Sequence, residues 1–266
     1  MIDAHCHLEQ KQYDKDREAV IGLCKKELDA VVTTCAHPKD LDLTMQMVDK
    51  YRNFIFAATS IHPEYVKDVT EEQKEDYIQL IKNNKEKIVA IGETGTDYWW
   101  IKDEEWRTKQ RKLFIEMIDL ADSLKLPLVI HSRNSRESTK AIEDAISLLE
   151  ESKTDRVQMH MYSSRRWLNR VLKNGWLISV NTLLLRSKGL TKIVRDTPLK
   201  QLMLETDAPW LAVGDDGAVK KPNQKRNLPT AVKLVAEKIA EIKKTTIQNV
   251  DKTTTDNAIK FFKIGK

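Results

Sequence analysis

Ile88-Val89-Ala90-Ile91-Gly92 and Leu128-Val129-Ile130-His131 are two short apolar runs rich in β-branched residues. Between them lies Asp103–Leu124, where Trp106, Leu113, Met117, Leu120 and Leu124 fall on one face of a helix. Strand, amphipathic helix and strand in that order form the unit of a parallel sheet covered by helices. The same rhythm runs outward in both directions. Further runs of this kind occupy Met1–His5, Ala30–Ala36, Phe54–Ile61, Val157–His160, Trp176–Val180 and Gln201–Glu205. Eight such units favour closure into a TIM-type (β/α)₈ barrel over an open doubly wound sheet. The 266 residues suit a single barrel domain spanning the chain, since that architecture takes about 250. After the last strand, Pro209–Pro229 has no apolar period and contains Gly214, Gly217, Pro222 and Pro229, which predicts a long loop. Pro229–Phe262 then reads as two helices, one of them a candidate for closing the barrel.

Composition narrows the classes. Charged residues make up 32% of the chain and mean hydropathy is −0.51, values of a solvated globular protein and not of a disordered or fibrous one. Net charge is +5, which allows a polyanionic partner without requiring one. The three cysteines, Cys6, Cys24 and Cys35, suggest no pairing framework and point to a reducing compartment. No basic stretch followed by an apolar run opens the sequence, and no apolar run reaches the roughly 18–20 residues of a membrane span. The expectation is a cytoplasmic protein without a membrane partner.

All six histidines, His5, His7, His37, His62, His131 and His160, fall at or just past the end of a predicted strand. In a barrel those ends converge on the rim that carries active sites. His5 and His7 are two apart on a strand, so both rings face one side and Cys6 the other. By itself, His-X-His also fits a hydrogen-bonded core pair. Glu93 follows a strand too apolar to want a carboxylate, although an N-cap or an ion pair would also explain it. His131 and His160 end their strands, and Glu205 and Asp207 are again two apart. Four imidazoles and two carboxylates on one rim would be a costly polar cluster unless it bound cations. Nitrogen and oxygen donors without thiolate suit Zn²⁺, Mn²⁺ or Mg²⁺. Six ligands exceed one tetrahedral site, so two divalent ions sharing a carboxylate is the economical arrangement.

The residues that carry this pattern resemble the TatD family of metal-dependent deoxyribonucleases, among the amidohydrolase-like barrels. The likeness rests on Asp3-Ala4-His5-Cys6-His7-Leu8, Ile61-His62-Pro63, Ala90-Ile91-Gly92-Glu93-Thr94-Gly95-Thr96-Asp97-Tyr98, His131-Ser132-Arg133, His160, Glu205-Thr206-Asp207-Ala208-Pro209 and Arg226-Asn227. These elements occur in family order over nearly the whole chain. The resemblance implies a two-metal hydrolase that cleaves DNA phosphodiesters, often from a 3′ end. It implies that His5, His7 and Asp207 hold one ion, that His131 and His160 hold the other, and that Glu93 bridges both. Asp207 is then the candidate acceptor of the attacking water's proton, which makes Asp207 and Glu93 the expected catalytic pair. Three segments depart from the family pattern: Met161-Tyr162-Ser163-Ser164 replaces Cys-Phe-Ser/Thr-Gly, Gly95-Thr96-Asp97-Tyr98 replaces Gly-Leu-Asp-Tyr, and Leu228 replaces the Glu of Arg-Asn-Glu-Pro. None removes a ligand, so the departures bear on substrate choice.

Several residues are left with two readings each. The resemblance makes His62 a contact to substrate phosphate; a cap before Pro63 is the alternative. His37 matches no motif and reads as structural. Tyr98, Trp99 and Trp100 follow Glu93 on the same rim, either as packing or as a platform for an unpaired base. Arg133, Lys220, Lys221, Lys225 and Arg226 would either contact phosphates or form a solvated charged surface. Two rival functions share the ligand set: hydrolysis of another ester or amide, such as removal of D-amino acids from tRNA, and a barrel whose metal is only a structural clip.

Overall fold

The computed structural model describes residues 1–214, 218–221 and 223–265. Eight strands follow one another around a single sheet: β1 (Ile2–Cys6), β2 (Ala30–Cys35), β3 (Ile55–Thr59), β4 (Ile88–Asp97), β5 (Leu128–Arg133), β6 (Val157–Met159), β7 (Leu177–Val180) and β8 (Leu202–Leu204). Every pairing between neighbours, β1 with β2 through β7 with β8, is parallel. Helices α1 (Arg17–Glu27), α2 (Leu41–Lys50), α3 (Glu71–Asn83), α4 (Glu104–Leu124), α5 (Lys140–Glu151), α6 (Leu168–Lys173) and α7 (Lys188–Asp196) connect them, and α8 (Val232–Lys243) and α9 (Ile247–Phe262) follow the last strand. This is the expected (β/α)₈ barrel.

The unit formed by β4, α4 and β5 shows why. The Asp103 carboxylate accepts from Glu105 N–H at 2.9 Å and caps α4, and Glu104 and Glu105 sit favourably in its first turn. Leu113, Met117 and Leu120 are buried, as the period predicts, with Phe114, Ile118 and Ala121 beside them. Trp106, at the N-terminal end of the same face, is half-buried beneath the ammonium groups of Lys67 and Lys109.

The strand before α4 departs from expectation. It continues through Glu93 to Asp97, and its pairing with β5 shifts register between Ile91 and Thr94. Gly92 (φ +155°) and Gly95 (φ +135°) would normally punctuate a strand. Here they are required by close approach, since a Cβ would lie 2.5 Å from Val129 O at one and 2.1 Å from His131 O at the other.

Alternate strand residues sort into two layers. Val31, Ile55, Ala57, Ile91, Leu128, Ile130, Leu202 and Leu204 face outward into the apolar stripes of the helices. Ile2, Ala4, Ala30, Val32, Ala58, Ala90, Val129 and Met203 cluster inside the barrel with Ala258, Phe261 and Phe262 of α9. The last helix therefore plugs the interior, and the expected closing helix is α9. A register shift in β1 between Asp3 and Cys6 lets Ile2 and Ala4 face inward near the start of the strand while Cys6 joins the outer layer. The seam between the last strand and β1 is closed near the rim: His5 O accepts from Asp207 N–H at 2.9 Å, and the Asp3 carboxylate accepts from both Thr206 N–H and Thr206 hydroxyl.

The loop after β8 is not featureless. Ala212–Val213 and Val219–Lys220 pair as a short antiparallel hairpin, β9 and β10. Gly217 and Pro222 lie outside the described residues. Among the described residues, no helix is long and apolar enough to cross a membrane.

Candidate metal centre

The C-terminal ends of the strands bring the chemistry together. His5 comes from β1 and His7 from the residue just beyond it. His62 follows β3, Glu93 and His131 lie within β4 and β5, His160 directly follows β6, and Asp207 lies three residues past β8. His5, His7, Glu93 and His160 are buried, while His131 and Asp207 keep partial access to a cavity of about 480 Å³.

Glu93 is the hinge of the arrangement. Its Oε2 lies 3.4 Å from His5 Nε2 and 3.9 Å from His7 Nε2. Its Oε1 lies 2.6 Å from His131 Nδ1, 3.6 Å from His160 Nε2 and 3.5 Å from His62 Nε2. Asp207 Oδ1 sits 3.3 Å from His7 Nε2, 3.7 Å from His5 Nε2 and 3.9 Å from His160 Nε2. The donors fall into overlapping triads: His5, His7 and Asp207; His5, Glu93 and His160; His62, Glu93 and His131.

The outer nitrogens say which imidazoles offer a lone pair. His7 Nδ1 faces Thr34 O at 2.8 Å, His160 Nδ1 faces Glu205 Oε2 at 2.8 Å and His131 Nε2 faces Asp97 Oδ2 at 2.8 Å. An acceptor at one nitrogen places the proton there and leaves the other free to bind a cation. His62 is the reverse. Its Nδ1 accepts from Glu64 N–H at 3.1 Å, so in the neutral ring Nε2 carries the proton. The ring caps the turn beginning at Pro63, the alternative that the sequence left open, and it also lines the metal cavity.

Burial works against charge throughout this cluster, and the carboxylates overcome it at three rings. Asp97 and Glu93 raise His131 to about 10, Glu205 and Glu93 raise His160 to about 9, and Asp207 and Glu9 hold His7 well above the usual imidazole range. His5 is pushed down by burial and by the neighbouring His160. Burial would likewise raise the acids, yet His160, His62 and His131 hold Glu93 well below the usual carboxylate range, and His7 and His160 lower Asp207. An imidazole must lose the proton on its ligating nitrogen before it can bind a cation, so metal uptake at these raised rings would release protons. A buried nitrogen and oxygen donor set, anchored outer nitrogens and a carboxylate with each oxygen turned to a different group of imidazoles together fit divalent ions.

Three carboxylates that hold the imidazoles were not singled out from sequence as site residues. Glu205 also accepts from Met161 N–H and the Ser179 hydroxyl, Asp97 also accepts from Trp99 and Trp100 N–H, and Glu9 lies 3.3 Å from His7 Nδ1. Spacing did carry a signal for two of them, since Glu9 and Glu205 each lie two positions from a ligand.

The expected substrate contacts divide. Arg133 ends β5, lines the metal cavity and lies over Trp99 and Trp100 at 5.1 and 5.7 Å. Trp99 is half-buried, and Trp100, 53% exposed, also lines the cavity. Tyr98 does not offer a stacking face. It is buried, its hydroxyl is bonded to Asp144 and Arg111, and the Arg107 guanidinium lies on its ring. Arg226 is likewise committed elsewhere: it forms a two-pronged pair with Asp16, donates to Gln12 O and lies over Tyr13. Lys220, Lys221 and Lys225 belong to the hairpin and the turn after it, and none is among the cavity's described lining residues. His37 caps the turn Pro38–Asp40 and packs edge-on against Tyr65, the structural role expected of it.

Comparison with known proteins agrees with this geometry. The family model described as TatD related DNase matches residues 2–263. Human deoxyribonuclease TATDN3 is 30% identical over 98% of this chain and 94% of its own length. An uncharacterized metal-dependent hydrolase of Methanocaldococcus jannaschii is 35% identical over 98% of this chain and 96% of its own length. Among solved structures, a TatD homolog from Escherichia coli superposes with a TM-score of 0.86 at 21% identity, covering 100% of this chain and 98% of that one.

Proposed function

This chain belongs to the TatD-related DNase family of metal-dependent hydrolases, and from that premise we propose that it uses two divalent cations to hydrolyse DNA phosphodiesters, releasing nucleotides from the 3′ end. The observation that carries the two-ion reading is Glu93, whose two oxygens face different sets of imidazoles. His5, His7 and Asp207 would hold one ion, and His131 and His160 the other. Bound there, Mg²⁺, Mn²⁺ or Zn²⁺ supplies Lewis-acid polarisation of the phosphoryl group and acidifies a water molecule.

The protein's own groups do the rest. Asp207 is held ionised by His7 and keeps access to the cavity, so it accepts the proton of the attacking water. The Nε2–H of His62 and the Arg133 guanidinium face the same cavity and offset charge that develops on the phosphoryl oxygens. End-wise cleavage from the 3′ terminus enters the proposal from the family resemblance. The three unpaired cysteines support a reducing, cytoplasmic setting.

The test is a screen of divalent metals against end-labelled single- and double-stranded DNA. Loss of single nucleotides from the 3′ end is expected, and Asp207→Asn is expected to slow it by about 10²–10⁴-fold, the range of a lost general base. Near-wild-type rates for Asp207→Asn would remove it as the proton acceptor. Deacylation of D-aminoacyl-tRNA with DNA left intact would reassign the substrate.

A further inference from the structure

Beside the metal cavity lies a second one, about 700 Å³, bounded by Trp99, Trp100, Lys102, Arg107, Ser135, Arg136 and Glu137. Trp100 lines both, so the second cavity is a groove that adjoins the first along this side chain. Lys102, Arg133 and Arg136 approach the Trp99 ring at 5.2, 5.1 and 5.1 Å. None of these three cations forms an ion pair among the described residues, whereas nearby Arg107 and Arg111 are held by Glu104 and Asp144. Glu137 is the one carboxylate on the described wall. An exposed indole and unpaired cations, next to a centre that would hold a phosphodiester, match the two surfaces of a nucleotide: an aromatic base and an anionic backbone.

We infer that this groove seats the nucleotide adjacent to the scissile phosphodiester of an unpaired strand. Its base lies against the open face of Trp100, and its phosphate sits among Lys102 and Arg136. The inference rests on the phosphodiesterase reading above and adds strand selectivity to it. Inside a duplex both faces of a base are stacked, and at an end the base is still held by its partner, so the platform serves an unpaired base.

Binding is measured with a phosphorothioate-linked octathymidylate, which resists cleavage, in the presence of divalent metal. Trp100→Ala is expected to weaken binding about tenfold, since stacking is worth about 1–3 kcal/mol per base and 1.4 kcal/mol is one decade. Trp100→Phe keeps an aromatic face and is expected to recover most of the loss. Because Trp100 is 53% exposed, neither change endangers folding. The Lys102→Ala, Arg136→Ala double variant is expected to flatten the slope of log affinity against log salt by about 1.4, as two lost phosphate contacts on a single strand require. The ratio of kcat/KM on the oligonucleotide to kcat/KM on bis-p-nitrophenyl phosphate is expected to fall with each loss of binding.

Octathymidylate binding that is indifferent to Trp100→Ala, or equally weak in Trp100→Phe, overturns the subsite. If such a protein still hydrolyses bis-p-nitrophenyl phosphate, the phosphodiesterase reading stands alone. If Trp100-dependent binding is found but no phosphodiester is cleaved, the subsite stands and the catalytic reading falls.

Discussion

At the N-terminal end of the strands, the barrel interior holds Ile2, Ala4, Ala30, Val32, Ala58, Ala90 and Val129, with Phe261 and Phe262 of α9 driven in from below. At the C-terminal end, the same strands or the residues just after them carry His5, His7, His62, Glu93, His131, His160 and Asp207. The floor is apolar and dense. Its alanines leave room that the two phenylalanines fill, and burying such a side chain contributes about 1.5–3 kcal/mol. The rim does the opposite. It buries imidazoles and carboxylates beside one another, and it places Met161, Asp207 and Leu211 in left-handed backbone, at about 1–3 kcal/mol for each such residue. One end supplies stability and the other consumes it to hold a reactive geometry, so damage to each should register in a different measurement.

The largest expected effect comes from the rim. Glu93→Ala removes the carboxylate whose two oxygens face different sets of imidazoles, and turnover should fall by about 10³-fold or more. The fold should survive, because the floor is untouched. Metal added at about a hundredfold excess over its Kd should stabilise the wild type by about 2.7 kcal/mol. That increment should vanish in Glu93→Ala, and thermal melts with and without metal would show it. A Glu93→Ala protein that is still stabilised by metal to the full extent would break the comparison at its active end.

The next effect comes from the floor. Phe262 is buried at the base of the barrel, and Phe262→Ala leaves a cavity worth about 3–5 kcal/mol. In a chain of this size each kilocalorie shifts Tm by about 2–4 °C. The metal-induced rise in Tm and the turnover of the folded fraction should both be kept. Turnover that fell in step with stability would mean that the floor also shapes the rim.

How much of this was legible depends on what kind of signal each feature leaves. Strand order, strand number and the candidate metal donors follow from alternation and residue type, and those are local. His5 and His7 had to share a side because they are two apart on a strand. The length of β4 was not legible, because Gly92 and Gly95 serve a close approach from β5 and only mimic a stop. Asp97 was hidden because carboxylates are common, and which one faces His131 Nε2 is settled in three dimensions. Tyr98, Trp99 and Trp100 are consecutive, yet one is buried, one half-buried and one exposed, a gradation no period encodes. Arg226 read as a cation free for phosphate because its partner, Asp16, is 210 positions away.

That partner sets the smallest expected effect and places the loop after β8 with the floor, as structure. Arg226 and Asn227 tie the chain beyond Asp207 to the chain beyond His7: the Arg226 guanidinium grips Asp16, the Tyr13 hydroxyl donates to Asn227 O at 2.7 Å, and Asn227 Nδ2 donates to Thr206 O at 3.1 Å. The pair to Asp16 is open to solvent on one side, with side chains 23% and 44% exposed, so its worth is that of a screened surface pair, about 1 kcal/mol or less. Arg226→Ala should therefore lower Tm by no more than about 4 °C. Because the guanidinium is already neutralised, its loss frees no phosphate contact, and the salt dependence of oligonucleotide binding should keep the wild-type slope. The Lys102→Ala, Arg136→Ala variant, measured in the same titration, supplies the contrast. A slope lowered by about 0.7 in Arg226→Ala would show that the residue leaves Asp16 for the strand, and the loop would then belong with the rim.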